Sequence, residues 1–132
     1  MIQYKKRRKY KYNLHSDLEY ETGITVDNPK KLGLLEITST GKLIIRKGYS
    51  WDGPSGPTID TKDFMRGSLI HDALYQLMRE KILPQTARER ADEILREVCL
   101  QDGMSKLRAW YVYKAVRIGG ASSAAPDLLQ AP

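Results

Sequence analysis

The chain has 132 residues, the length of one ordinary domain. Hydrophobic residues make up 41% of it, enough for a core, yet no apolar run approaches the roughly 20 residues of a membrane helix, and the lone Cys99 excludes an internal disulfide. The net charge of +6 is lopsided: residues 1–12 hold six of the 22 basic residues and no acid, and the other 16 equal the 16 acids, which excludes a uniformly basic nucleic-acid-binding surface.

The first 50 residues predict β structure. Tyr10, Tyr12 and Leu14 alternate with Lys11 and Asn13, the period of a half-buried strand. Leu32 to Thr38 and Lys42 to Arg46 read as two further strands around a Ser39-Thr40-Gly41 hairpin loop, and Asp27-Asn28-Pro29 as a turn. Residues 51–60, WDGPSGPTID, hold two glycines and two prolines and predict a loop. Residues 62–81 predict a long helix with Ile70, Leu74, Leu77 and Met78 on its apolar face.

A second helix is expected from Thr86, where Thr86 and Glu89 fit a capping box. Ala91, Ile94, Leu95 and Val98 form its stripe, Cys99 reads as a small packing residue, and Gly103 fits its stop. Ser105 can cap a third helix carrying Leu107, Trp110, Tyr111, Ala115 and Ile118, ended by Gly119-Gly120, with Trp110, Tyr111 and Tyr113 read as helical packing. The expected architecture is α+β: an N-terminal antiparallel β-sheet followed by a three-helix C-terminal half. Residues 1–12 read as a basic arm or edge strand, 13–120 as a single domain, and 121–132 as a polar extension. No apolar segment of a signal peptide follows the basic start.

One group of side chains has the make-up of a reactive site. His71 and Tyr75 lie four apart and share a helix face, whereas Asp72 sits about 100° around the axis. A short link makes the first two helices antiparallel, so Asp92 can reach one imidazole nitrogen and leave the other free as a general base on water. Asp72 with carbonyl oxygens of the 51–60 loop suits a cation, and calcium matches that oxygen-donor chemistry. The alternative is a buried His-Asp pair that only satisfies hydrogen bonds. The loop likewise has two readings, a ligand-approaching backbone or a rigid connector; Asp52, Ser55 and Asp60 are its polar groups, and Asp60 or Asp63 can simply cap the helix. In the arm, Lys5, Lys6, Arg7, Arg8 and Lys9, interleaved with tyrosines, suit nucleic-acid phosphates or anionic lipid, or else form a solvated edge strand.

The order of Gly48-Tyr49, Asp52, Ser55, Pro57, His71-Asp72-Ala73-Leu74-Tyr75, Ala91-Asp92 and Ala115-Val116-Arg117 with Gly119 resembles the phage and prophage family called domain of unknown function 1353. The likeness covers about residues 45 to 120 and implies a small phage-encoded protein, with no established activity. More distantly, the site is similar to secreted phospholipase A2 enzymes, in which a Gly-rich calcium loop precedes a His-Asp helix and an antiparallel helix brings an Asp to the His. That likeness implies His71 as the base, Tyr75 and Asp92 as its orienting partners, Asp72 as a calcium ligand, and carbonyls near Trp51, Gly53 and Gly56 as the rest of the shell. The chain departs from it in having one cysteine, in Pro54 and Pro57, and in a longer step from loop to histidine.

Three functions follow as expectations. The first is a calcium-assisted ester or lipid hydrolase. The second is a non-enzymatic component of a phage tail or connector whose partners are other virion proteins. The third is a nucleic-acid or host-factor binder using the arm. The expected setting is host cytoplasm or virion.

Overall fold

The computed structural model describes residues 2, 4–6, 12–51 and 61–124, with the main chain only at 4–6, 122 and 123. The fold is α+β, with antiparallel sheets first and helices after. Strands β1 (Tyr4–Lys6), β2 (Tyr12–Leu14) and β7 (Ser50–Trp51) form one sheet in the order β1-β2-β7. Strands β3 (Leu18–Glu21), β4 (Lys30–Leu32), β5 (Leu35–Ile37) and β6 (Lys42–Ile45) form another in the order β3-β6-β5-β4. Tyr12 pairs with Trp51, and Leu35 and Ile37 pair with Ile45 and Leu43. This register turns Leu35, Ile37, Leu43 and Ile45 onto one face, where all four are buried.

The expected run from Leu32 to Thr38 is not one strand. β4 ends at Leu32, Gly33 takes φ +56°, and β5 starts at Leu35. The glycine supplies the left-handed turn that folds an apolar-looking stretch into a hairpin. The Ser39-Thr40-Gly41 loop forms as expected, closed by Thr38 N–H to the Lys42 carbonyl at 3.0 Å.

Helix α1 (Lys62–Arg79) buries Leu69, Ile70, Ala73, Leu74, Leu77 and Met78 with the sheet residues in the main core. Its end is a Schellman turn with Lys81 at φ +63°, in which Lys81 N–H reaches the Met78 carbonyl at 3.1 Å and Ile82 N–H the Leu77 carbonyl at 2.8 Å. Helix α2 (Arg88–Gln101) returns antiparallel, burying the stripe Ala91, Ile94, Leu95 and Val98. The capping box does not form. Gln85–Ala87 make a 3-10 turn, so Thr86 lies inside a helical turn and not at its mouth, and no side chain caps α2. A capping threonine needs the extended conformation of the residue before the first turn.

Gly67 sets the spacing of α1 against α2. A Cβ there would stand 2.9 Å from Cys99 Sγ and 3.1 Å from Leu95 Cδ1. In an open helix, Gly→Ala stabilises by about 1 kcal/mol. Here overpacking, about 1–3 kcal/mol, opposes it and prevails. Gly67→Ala is therefore expected to lower the urea midpoint, and Cys99→Ala in the same chain to restore part of the loss.

Helix α3 (Lys106–Gly119) is capped by Ser105, whose Oγ accepts from Arg108 N–H at 3.2 Å. Its orientation corrects the expected packing face. Ala109 and Val112 are buried, whereas Leu107, Trp110, Tyr111 and Ile118 are exposed. Small residues face inward because α3 lies close on Phe64, Leu95, Cys99 and Met104. The polar extension begins inside the fold: Ala121–Ala124 form α4, Ala124 is buried, and its carbonyl accepts from Gln85 Nε2 at 2.6 Å. Residues 125–132 lie outside the described residues.

Candidate functional site

The pairing of α1 with α2 brings His71, Tyr75 and Asp92 together. All three are buried, Asp92 completely. His71 Nε2 lies 2.7 Å from Asp92 Oδ1, and the Tyr75 hydroxyl donates to the same oxygen at 2.7 Å. The His71 and Tyr75 rings lie one helical turn apart in a tilted contact, with centroids at 4.1 Å and planes 38° apart.

The other carboxylate oxygen belongs to two arginines that the sequence reading did not assign. Arg117 Nη1, from the last turn of α3, donates to Asp92 Oδ2 at 2.9 Å, and Arg88 Nη1 stands 3.6 Å from it. Arg88 also faces the carbonyls of Val116 at 3.3 Å and Arg117 at 3.5 Å, so its charge sits at the negative end of α3. Arg88 was visible as a residue one turn before Asp92. Arg117 lies 25 residues beyond Asp92, and nothing in its local pattern marks it as a partner of that carboxylate.

These contacts decide the charge states. Burial pushes the Asp92 carboxyl up, but hydrogen bonds from His71, Tyr75 and Arg117 outweigh it and hold the group below the usual carboxylate range. Burial, and then the bond to Asp92, pushes the Tyr75 phenol well above its ordinary value. Asp92 raises Arg117 further. With Asp92 ionised, the proton between it and His71 belongs on Nε2, and a neutral ring then carries its lone pair on Nδ1. Burial also pushes the Cys99 thiol up to about 12, which keeps it out of nucleophilic chemistry.

The remaining candidates fall elsewhere. Asp72 follows His71 on α1 and is half-buried. Trp51 ends β7 with its ring buried, its Nε1 donating to Ser68 Oγ at 3.2 Å. Asp52, Gly53, Ser55, Gly56 and Asp60 lie outside the described residues, as do Arg7, Arg8 and Lys9; Lys5 and Lys6 are placed only as main chain in β1. Asp63 sits in the first turn of α1, where it accepts from the Thr61 hydroxyl and from Arg108 Nη1 at 3.2 Å. Among the described residues, no three His, Cys, Asp or Glu side chains converge as a metal cluster, and no helix is long and apolar enough to cross a membrane.

The signature of one family, described as Protein of unknown function (DUF1353), matches residues 34–116, and the chain belongs to that family. The matched span runs from the turn before β5 into α3 and includes His71, Tyr75, Arg88 and Asp92. Neither a curated protein nor a solved structure matches the chain.

Proposed function

We propose that this is a phage-encoded hydrolase of esters, with lipid esters as its natural substrate class, working in the host cytoplasm or the virion. The observation that carries the reading is the shared Asp92 oxygen, which takes both His71 Nε2 and the Tyr75 hydroxyl at 2.7 Å. This fixes the ring and its tautomer, as a general base requires. His71 Nδ1 takes a proton from water as the water oxygen bonds to the ester carbonyl carbon. The imidazolium so formed is stabilised by Asp92, and it returns the proton to the departing alkoxide as the carbon–oxygen bond breaks.

Asp72 and main-chain carbonyls of residues 51, 53 and 56 would hold calcium. A carboxylate with carbonyls is the hard oxygen set that this ion takes, so the residue types fit. When bound, calcium supplies a positive charge to the ester oxygen.

A second reading, a non-enzymatic tail or connector component, draws on Arg117 and Arg88. Two guanidiniums against one buried carboxylate are also what a structural clamp between three helices needs.

One set of measurements separates the two. Wild type and His71→Gln are assayed on a short-chain chromogenic ester and on phospholipid vesicles with calcium, and wild type and Asp72→Asn are titrated with calcium by calorimetry. The hydrolase reading expects turnover to fall about 10²–10⁴-fold in a folded His71→Gln protein, and calcium binding to vanish in Asp72→Asn. A folded wild type with no turnover on either substrate overturns it in favour of the virion component. Turnover with no calcium binding removes the metal alone.

A further inference from the structure

The outward face of α3 is unlike a solvated helix face. Exposure is 70% at Leu107, 44% at Trp110, 66% at Tyr111 and 85% at Ile118. At roughly 100° per residue these four and Lys114 fall within an arc of about 100°, opposite the buried Ala109 and Val112. The helix carries Lys106, Arg108, Lys114 and Arg117 and no acid. Arg117 and Arg108 are engaged by Asp92 and Asp63, but Lys106 and Lys114 are exposed, and the Lys114 ammonium lies 5.8 Å from the Trp110 ring centroid.

We infer that α3 docks this protein in the plane of an anionic lipid surface, with Leu107, Trp110, Tyr111 and Ile118 entering the boundary between headgroups and acyl chains. Large apolar and aromatic side chains beside lysines are the composition of helices that lie in that boundary, because each ring has an apolar body and a polar edge. Lys106 stands at the margin of this arc and Lys114 within it; their stems can lie along the apolar surface while the ammonium groups reach lipid phosphates. Charge complementarity selects this occupant over a second copy of the chain. Two such faces would bring the lysines of two α3 helices together with no acid on either helix, whereas an anionic bilayer supplies opposite charge. This inference is independent of the hydrolase reading, since docking is measured without turnover.

The two tryptophans make the test direct, because Trp51 is buried and Trp110 is exposed. The full chain is mixed with vesicles of phosphatidylcholine alone and of phosphatidylcholine with phosphatidylglycerol. Binding is followed by sedimentation and by tryptophan emission, including quenching by lipids with brominated acyl chains. The expected result is binding to the anionic vesicles that weakens with salt, a blue shift, and quenching, with both optical signals lost in Trp110→Phe. The double variant Leu107→Glu with Ile118→Glu should fold normally, since both side chains are exposed, and should bind more than roughly tenfold more weakly. Three results overturn the proposal: no vesicle binding; binding unchanged in the double variant, which assigns it to the N-terminal arm; or a wild-type dimer that the double variant makes monomeric, which makes this face a self-interface.

Discussion

Asp92→Ala is expected to cost about 3–5 kcal/mol of folding stability, the range for breaking one side of a buried charge network. The carboxylate accepts from His71, Tyr75 and Arg117 and so ties α1, α2 and α3 together. Its removal leaves a buried imidazole N–H and a buried phenol without an acceptor, and two guanidiniums without their counter-charge. For a domain of this size the melting temperature should fall by roughly 10–20 °C. Asp92→Asn keeps the shape but not the charge, and a smaller loss is expected.

The pH dependence has a definite sign. Asp92 is held below the usual carboxylate range in the folded chain, so its contribution is complete above about pH 4, the ordinary unfolded value. It is lost as the pH falls through the lowered folded value. Urea unfolding across the acid range should therefore show wild type converging on Asp92→Asn as the pH drops. Curves that stay parallel would show that folding does not lower the Asp92 carboxyl below its unfolded value.

The His71–Asp92 meeting was legible because it needs only local information. Helical spacing puts His71 on the packing face with Tyr75, and a short link makes the next helix antiparallel. The two arginines were not legible for the opposite reason. An Arg four residues before an Asp is ordinarily an exposed pair; Arg88 becomes part of a buried site only because the C-terminal end of α3 docks on it. The same docking explains the misread face of α3. Large aromatic residues suggest a core by their size, yet Ala109 and Val112 let the helix come close enough for Arg117 to reach Asp92. In the sheet, the leucines around Gly33 outweighed the glycine's turn signal, although its positive φ makes the hairpin.

Gly120 carries the second large expectation. Its φ is −84°, a conformation any residue adopts, so its requirement is one of space and not of backbone freedom. A Cβ there would fall well inside contact of both the Tyr75 hydroxyl and the Val116 carbonyl oxygen, and 3.2 Å from Tyr75 Cε2. The bare backbone thus lets the end of α3 lie directly on Tyr75, the arrangement that brings Arg117 over Asp92. Gly120→Ala must either swing the phenol off Asp92 or lift the helix end, and is expected to cost about 2–4 kcal/mol from overpacking and a weakened charge-assisted bond. Tyr75→Phe removes one clashing atom, so the two substitutions are not expected to add. In urea unfolding, Gly120→Ala should cost at least about 1 kcal/mol less in the Tyr75→Phe background than in wild type. Additive losses would place the clash at the Val116 carbonyl, making Gly120 a requirement of helix termination and not of the His71–Tyr75–Asp92 site.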